Sequence, residues 1–246
     1  MKKVLFFLSL LTSLYSSQTV ELSGDMNYPP YSYIENGTPK GVYVDIIKTA
    51  FKQIKEYDVR FNMMAYKRAI AMTKQGKTVG FFPPYYGKER TQWTKFSEPI
   101  LAETTIVFAK EDILKDRKNY PEDFYGKTLC LNRGFNKSLL GGDKLAAAID
   151  SKKLKLIEAN DNQGCLSRVS RGLADFYIND QLIDTSKFPE IKKGMDVKDN
   201  FGHVGFTLKK GNYKYIDDLE IKFNQAIKNL KKDGTIEQIL LKYRGD

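Results

Sequence analysis

The chain has a single histidine, His203, and two cysteines, Cys130 and Cys165, so little metal or nucleophilic chemistry is open to it. Zinc sites and catalytic triads draw on several His, Cys or acidic groups at set spacings, and no Ser-His-Asp set or paired-Cys motif occurs. His203 reads as structural, and no catalytic residue, metal or cofactor is expected. The side chains better suited to chemistry are ionic and aromatic. Arg90 carries a planar guanidinium fork that can meet two carboxylate oxygens at once. Tyr28 and Tyr31 flank Pro29 and Pro30, and an aromatic face attracts a cationic group. Phe135 and Asn136 follow Gly134 at the start of a predicted helix, where free amide donors favour an anion. Asp25 and Asp180 each end a predicted strand, where a carboxylate either meets a cation or satisfies nearby amides. Asp45 falls in the first turn of a predicted helix, where it offsets the positive end of the dipole.

These groups need a scaffold, and the hydropathy pattern supplies one. Val20 and Leu22 mark a strand, and a loop rich in Pro and Gly is expected from Tyr28 to Gly41. Val44, Ile47, Phe51 and Ile54 recur at spacings of three and four, which places them on one helical face. Val59 and Phe61 alternate as in a strand; a helix from Tyr66 to Gln75, stopped by Gly76, and a strand from Val79 to Phe82 complete a βαβαβ unit. Thr104 to Ala109 reads as a strand leaving it. A second unit takes strands from Lys127 to Leu131, Leu154 to Glu158 and Ala174 to Ile178, and His203 to Leu208 adds one more. Two apolar stripes close the chain, the first on Ile216, Leu219, Phe223, Ile227 and Leu230, the second on Ile236, Ile239, Leu240 and Tyr243. Strands alternating with helices predict mainly parallel sheets with crossover helices.

The first residues bear on compartment. Lys2 and Lys3 precede an apolar run from Val4 to Leu14 that gives way to small polar residues, the pattern of a secretory signal peptide over residues 1–17. The run is shorter than the ~20 residues that span a bilayer. A soluble periplasmic product is expected. Export would let Cys130 and Cys165 form one disulfide, with two buried thiols as the alternative. The formal net charge of +10 is spread among interspersed acidic residues, so a solvated basic surface is expected rather than a nucleic-acid partner.

From Gly24 to Asp45 the chain reads GDMNYPPYSYIENGTPKGVYVD, and here it resembles the family 3 bacterial extracellular solute-binding proteins, the polar amino-acid binders of ABC importers. The resemblance continues through GKERTQWTKFSEPI, GKTLCLNRG, GLADFYIND and FNQAIKNLKKDGTIEQILLKY, in the family's order. It implies an α/β, two-lobed periplasmic binding protein-like fold of type II, each lobe a mainly parallel sheet flanked by helices, joined by a two-segment hinge. Residues 18–103 and 200–246 would form one lobe and 104–199 the other. A small solute, an amino acid or another carboxylate-bearing metabolite, would bind between them as a monomeric protein closes, for delivery to a membrane permease.

The resemblance also implies site roles. Arg90 would hold the ligand carboxylate, Asp180 would accept its ammonium, and Tyr28, Tyr31 and Tyr85 would wall it. Asp25 stands where some members recognise basic side chains; Arg133, Phe135 and Asn136 would contribute from the second lobe. One departure stands out: Pro83, Pro84, Tyr85 and Tyr86 replace the hydroxyl residues usual before the arginine, and proline has no amide donor. A more aromatic and less polar site follows. Periplasmic cyclohexadienyl dehydratases share the scaffold, so an enzyme is the alternative, as is a sensory module for a membrane receptor.

Overall fold

The computed structural model describes residues 17–244, so the expected signal peptide lies outside it except for Ser17. The chain opens with β1 (Gln18–Asp25), three short strands β2 (Asn27–Tyr28), β3 (Ser32–Glu35) and β4 (Thr38–Lys40), α1 (Val42–Phe51), β5 (Tyr57–Met64), α2 (Tyr66–Lys74), β6 (Gly80–Phe82) and β7 (Thr94–Phe96). It crosses on β8 (Leu101–Lys110) to α3 (Glu111–Leu114), β9 (Thr128–Asn132), α4 (Lys137–Asp150), β10 (Lys155–Ala159), α5 (Asn162–Ser170) and β11 (Phe176–Asp180). It comes back on β12 (Ile191–Gly202) to β13 (Gly205–Thr207), α6 (Ile216–Lys232) and α7 (Thr235–Leu241).

Two five-stranded sheets result, in the orders β5-β1-β6-β13-β7 and β10-β9-β11-β8-β12. In each, four strands run in one direction and one runs against them, β13 in the first sheet and β8 in the second. The parallel part matches the expectation from alternating strands and helices; the antiparallel members do not announce themselves in the hydropathy. The expected loop from Tyr28 to Gly41 is instead the small antiparallel sheet β2-β3-β4. Pro39 is accommodated because it sits on the outer strand, where a missing donor costs no ladder bond.

The central strand β1 pairs on both edges and buries Leu22 through Asp25, so a carboxylate at its end is carried into the interior. The α1 stripe of Val42, Ile46, Ile47 and Ala50 packs with Leu219, Phe223 and Ile227 of α6, and the Phe51 and Phe223 rings are 5.8 Å apart. Burying one such ring contributes about 1.5–3 kcal/mol. Between the lobes run β8 and β12, which pair from Leu101–Gly202 through Glu103–Asn200. Gly202 has to be glycine here: a Cβ would stand 1.5 Å from the Tyr43 hydroxyl. Cys130 of β9 and Cys165 of α5 form a disulfide, so of the two alternatives open in the sequence the structure takes the bridge.

Candidate functional site

The lobes meet over a small chamber. The first lobe contributes Asp25, Tyr28, Tyr66, Pro83, Tyr85 and Arg90; the second contributes Phe135, Asn136, Leu139 and Leu140. Apart from Asn136 and the tyrosine hydroxyls, only Arg90 and Asp25 bring strong polarity to it.

Arg90 lies in a 3-10 turn, Lys88–Gln92, after the Pro83–Pro84 bend, and is only 7 % exposed. Its guanidinium donates to the Tyr66 hydroxyl at 3.3 Å and to the Tyr85 carbonyl at 3.4 Å. Among the described residues no carboxylate pairs with it. A buried cation without a counter-ion is costly, and a carboxylate guest would offset that cost. Asp25 is likewise buried, its Oδ1 accepting from the Asn27 amide at 3.0 Å. Burial pushes its carboxyl up to about 7, so it gains most from a neighbouring cation in its charged form. A cation-seeking carboxyl and an anion-seeking guanidinium within one aromatic enclosure suit a zwitterion.

Two of the aromatic walls are held by contacts that cross between lobes. The Tyr28 hydroxyl donates to Asn179 Oδ1 at 2.9 Å, and Asn162 Nδ2 donates to the Pro29 carbonyl at 3.1 Å. Asn162 accepts in turn from Asn132 at 2.7 Å. Cys130 lies two residues before Asn132 on β9, and Cys165 one helical turn after Asn162 on α5, so the disulfide ties together the two elements that carry this latch. The Tyr85 hydroxyl donates to Glu103 Oε2 at 2.7 Å, and Tyr43 donates to Oε1 of the same carboxyl. Glu103 is 4 % exposed and burial pushes its carboxyl up to about 7.

Several expected site residues are placed elsewhere. Tyr31 is fully buried behind Tyr28, ring centroids 4.9 Å apart, and does not line the chamber. Asp180 does not line it either; it is buried at 1 % exposure, with Oδ1 accepting from the Leu182 amide and Oδ2 without a hydrogen-bond partner among the described residues. Strand alternation turns Asp180 to the face of Phe176 and Ile178, opposite the Tyr177 and Asn179 face that meets the first lobe. Of the two expected carboxylates, Asp25 lines the chamber with Arg90 and Asp180 does not. Arg133 is exposed at the mouth of the cleft, 3.8 Å from Glu158. Asn136 caps α4 by accepting from the Leu139 amide at 3.0 Å, which consumes one of the donors expected to face an anion, and its Nδ2 reaches Glu89 of the first lobe at 3.1 Å. His203 is buried with Nδ1 2.8 Å from the Ser97 carbonyl, and burial holds its pKa below the usual range.

The sequence reading missed Tyr66, Leu139, Leu140 and Glu103. The signal for Glu103 was present: an acid in phase with Leu101, Thr105 and Val107 occupies the buried face of a strand. Tyr66 and the leucines sit in first helical turns, where only the neighbouring lobe decides that they face a cleft. Among the described residues no group of three or more His, Cys, Asp or Glu side chains could hold a metal ion, and no helix is long and apolar enough to cross a membrane.

The sequence profile of the bacterial extracellular solute-binding proteins, family 3, matches residues 20–246. The probable amino-acid-binding protein YxeM of Bacillus subtilis (strain 168) is 26 % identical over 221 residues, covering 87 % of this chain and 79 % of that protein. The L-cystine-binding protein TcyA of the same organism is 24 % identical over 253 residues, covering 96 % of this chain and 85 % of that one. In three dimensions the fold is similar to a histidine kinase sensor domain with similarity to periplasmic binding proteins, with a TM-score of 0.78 at 19 % identity, covering 93 % of this chain and 97 % of the other.

Proposed function

We propose a function from one premise: the chain belongs to the bacterial extracellular solute-binding proteins, family 3. It captures a small amino acid between its lobes outside the cytoplasm and hands it to the membrane permease of an ABC importer, without catalysing a reaction. Arg90 takes the carboxylate and Asp25 the ammonium, while Tyr28, Tyr66 and Tyr85 enclose the carbon skeleton. The amino-acid-binding and cystine-binding names of its relatives support the ligand class. The observation that carries it is the buried Arg90, with no counter-ion among the described residues, at the wall of the interlobe chamber. Ligand bound across both lobes adds contacts that only the closed arrangement makes, so binding and closure are coupled.

Thermal melts of the exported chain and of Arg90→Ala over a panel of amino acids test it. A saturating ligand at about 100 Kd stabilises by about 2.7 kcal/mol, which raises Tm by roughly 5–11 °C in a chain of this size. The wild type should show that rise with at least one amino acid and Arg90→Ala should not. Equal shifts in both proteins would remove Arg90 from the site, and turnover of prephenate or arogenate would replace capture by catalysis.

A further inference from the structure

The aromatic slot between Tyr28 and Tyr66 is already filled by a ring of the protein itself. Phe135 reaches across from the second lobe and meets Tyr28 edge-on, centroids 5.5 Å apart at 90°, and Tyr66 at 5.4 Å and 74°. Both are preferred aromatic geometries, with the edge of one ring against the face of the other. Phe135 is also the residue common to all three apolar clusters of the molecule, packing against the core of each lobe and against the small group of Met64, Tyr66, Ala69 and Phe81. Its backbone is tightly held. Gly134, with φ +88, brings the turn so close to the first lobe that a Cβ would lie 3.1 Å from that of Lys67, and the Asn136 amide is bonded to Glu89.

The ring also borders both the chamber and the outer cleft. An outer space shares Asp25, Tyr66 and Phe135 with the chamber and opens toward Lys67 and Arg133. A second outer space, adjoining the first along Lys67, Arg133 and Phe135, shares Arg90, Phe135 and Asn136 with the chamber and opens toward Lys74 and Trp93. Phe135 thus stands where the chamber meets the outer cleft, beside Asp25 and Arg90, which line both. A ligand side chain that leaves the chamber past Phe135 would have to displace the ring from two aromatic contacts.

Resting on the assignment of the cleft as an amino-acid site, we infer that Phe135 is the specificity-determining residue that limits the ligand to α-amino acids with short side chains. The ring takes the place in the Tyr28–Tyr66 slot that the side chain of a longer ligand would need. Titration calorimetry of the exported chain, Phe135→Leu and Phe135→Ala with L-alanine, L-serine, L-phenylalanine and L-tryptophan tests this, with circular dichroism to confirm folding. The wild type should bind L-alanine or L-serine in preference to L-tryptophan. In Phe135→Ala the Kd ratio of L-tryptophan to L-alanine should fall on the order of 10–100-fold, the scale on which a pocket discriminates by size, with Phe135→Leu between the two. A ratio unchanged in the folded Phe135→Ala variant, or a wild type that binds L-tryptophan as tightly as L-alanine, overturns the inference while leaving the amino-acid assignment standing. Binding of none of the four by any of the proteins overturns both.

Discussion

Replacing both Cys130 and Cys165 by alanine tests how the second lobe is held behind the cleft. The disulfide closes a loop with a sequence separation of 35. The chain-entropy relation gives about 13 cal/mol/K for a loop of that length, or ~4 kcal/mol at 25 °C, removed from the unfolded ensemble. Both cysteines are fully buried, so the alanines also leave space that the packing between β9 and α5 fills only in part, which adds to the loss. At about 2–4 °C per kcal/mol for a chain of this size, Tm should fall by roughly 8–16 °C. Thermal and urea melts followed by circular dichroism read the effect. Reductant added to the native wild type should not reproduce it, because neither sulfur is accessible, whereas reductant added in urea should. A double variant melting within about 2 °C of the wild type, or two thiols reacting in the native unreduced protein, would refute the reasoning.

The remaining predictions concern buried carboxyls. Asp25, Glu103 and Asp180 are all held up to about 7 by burial, so the folded chain binds their protons more tightly than the unfolded chain does. Their contribution is fully present below the ordinary carboxyl range near pH 4 and is lost as pH rises through about 7. The ligand-free protein should therefore lose stability between pH 5 and pH 8. His203, with its pKa lowered by burial, opposes this in the lower part of the range. Asp25→Asn keeps a neutral group at the site and should make the fall in Tm between pH 5 and pH 8 smaller; an unchanged or steeper fall would contradict the assignment. Glu103→Leu strips the acceptor from the Tyr43 and Tyr85 hydroxyls and should cost about 1–3 kcal/mol for each group left unpaired, read from urea unfolding. Glu103→Gln, which keeps one acceptor, should cost less; equal losses in the two variants would mean that packing, not the hydroxyl bonds, decides.

The latch and the Glu103 network share a design. Each lets a first-lobe tyrosine present its ring to the chamber while its hydroxyl bonds to a residue, Asn179 or Glu103, that does not line it. In the proposed function a hydroxyl committed in this way would not compete for the guest, and Arg90 and Asp25 would set its orientation.

Local periodicity determined much of this protein. The stripe Ile216, Leu219, Phe223, Ile227 and Leu230 is buried along α6 as its spacing requires, and the strands read from Val20, Val59 and Lys127 appear within a few residues of their expected places. Gly76, expected to stop α2 in the left-handed region, has φ +72. Periodicity was silent where strands lack an apolar face: β12, IKKGMDVKDNFG, is mostly charged or small and owes its conformation to pairing with β8. Arg90, Asp25, Tyr28 and Tyr85, named from the sequence, line the candidate chamber, but its geometry was not legible there. Asp180 and Asn179 are neighbours in sequence, yet only Asn179 meets Tyr28, 151 residues away, because alternation turns adjacent side chains to opposite faces. Phe135 looks like any aromatic before a helix until the second lobe carries it between Tyr28 and Tyr66. A sequence encodes which face of an element is apolar; what stands opposite that face depends on contacts between distant segments, and only folding brings those together.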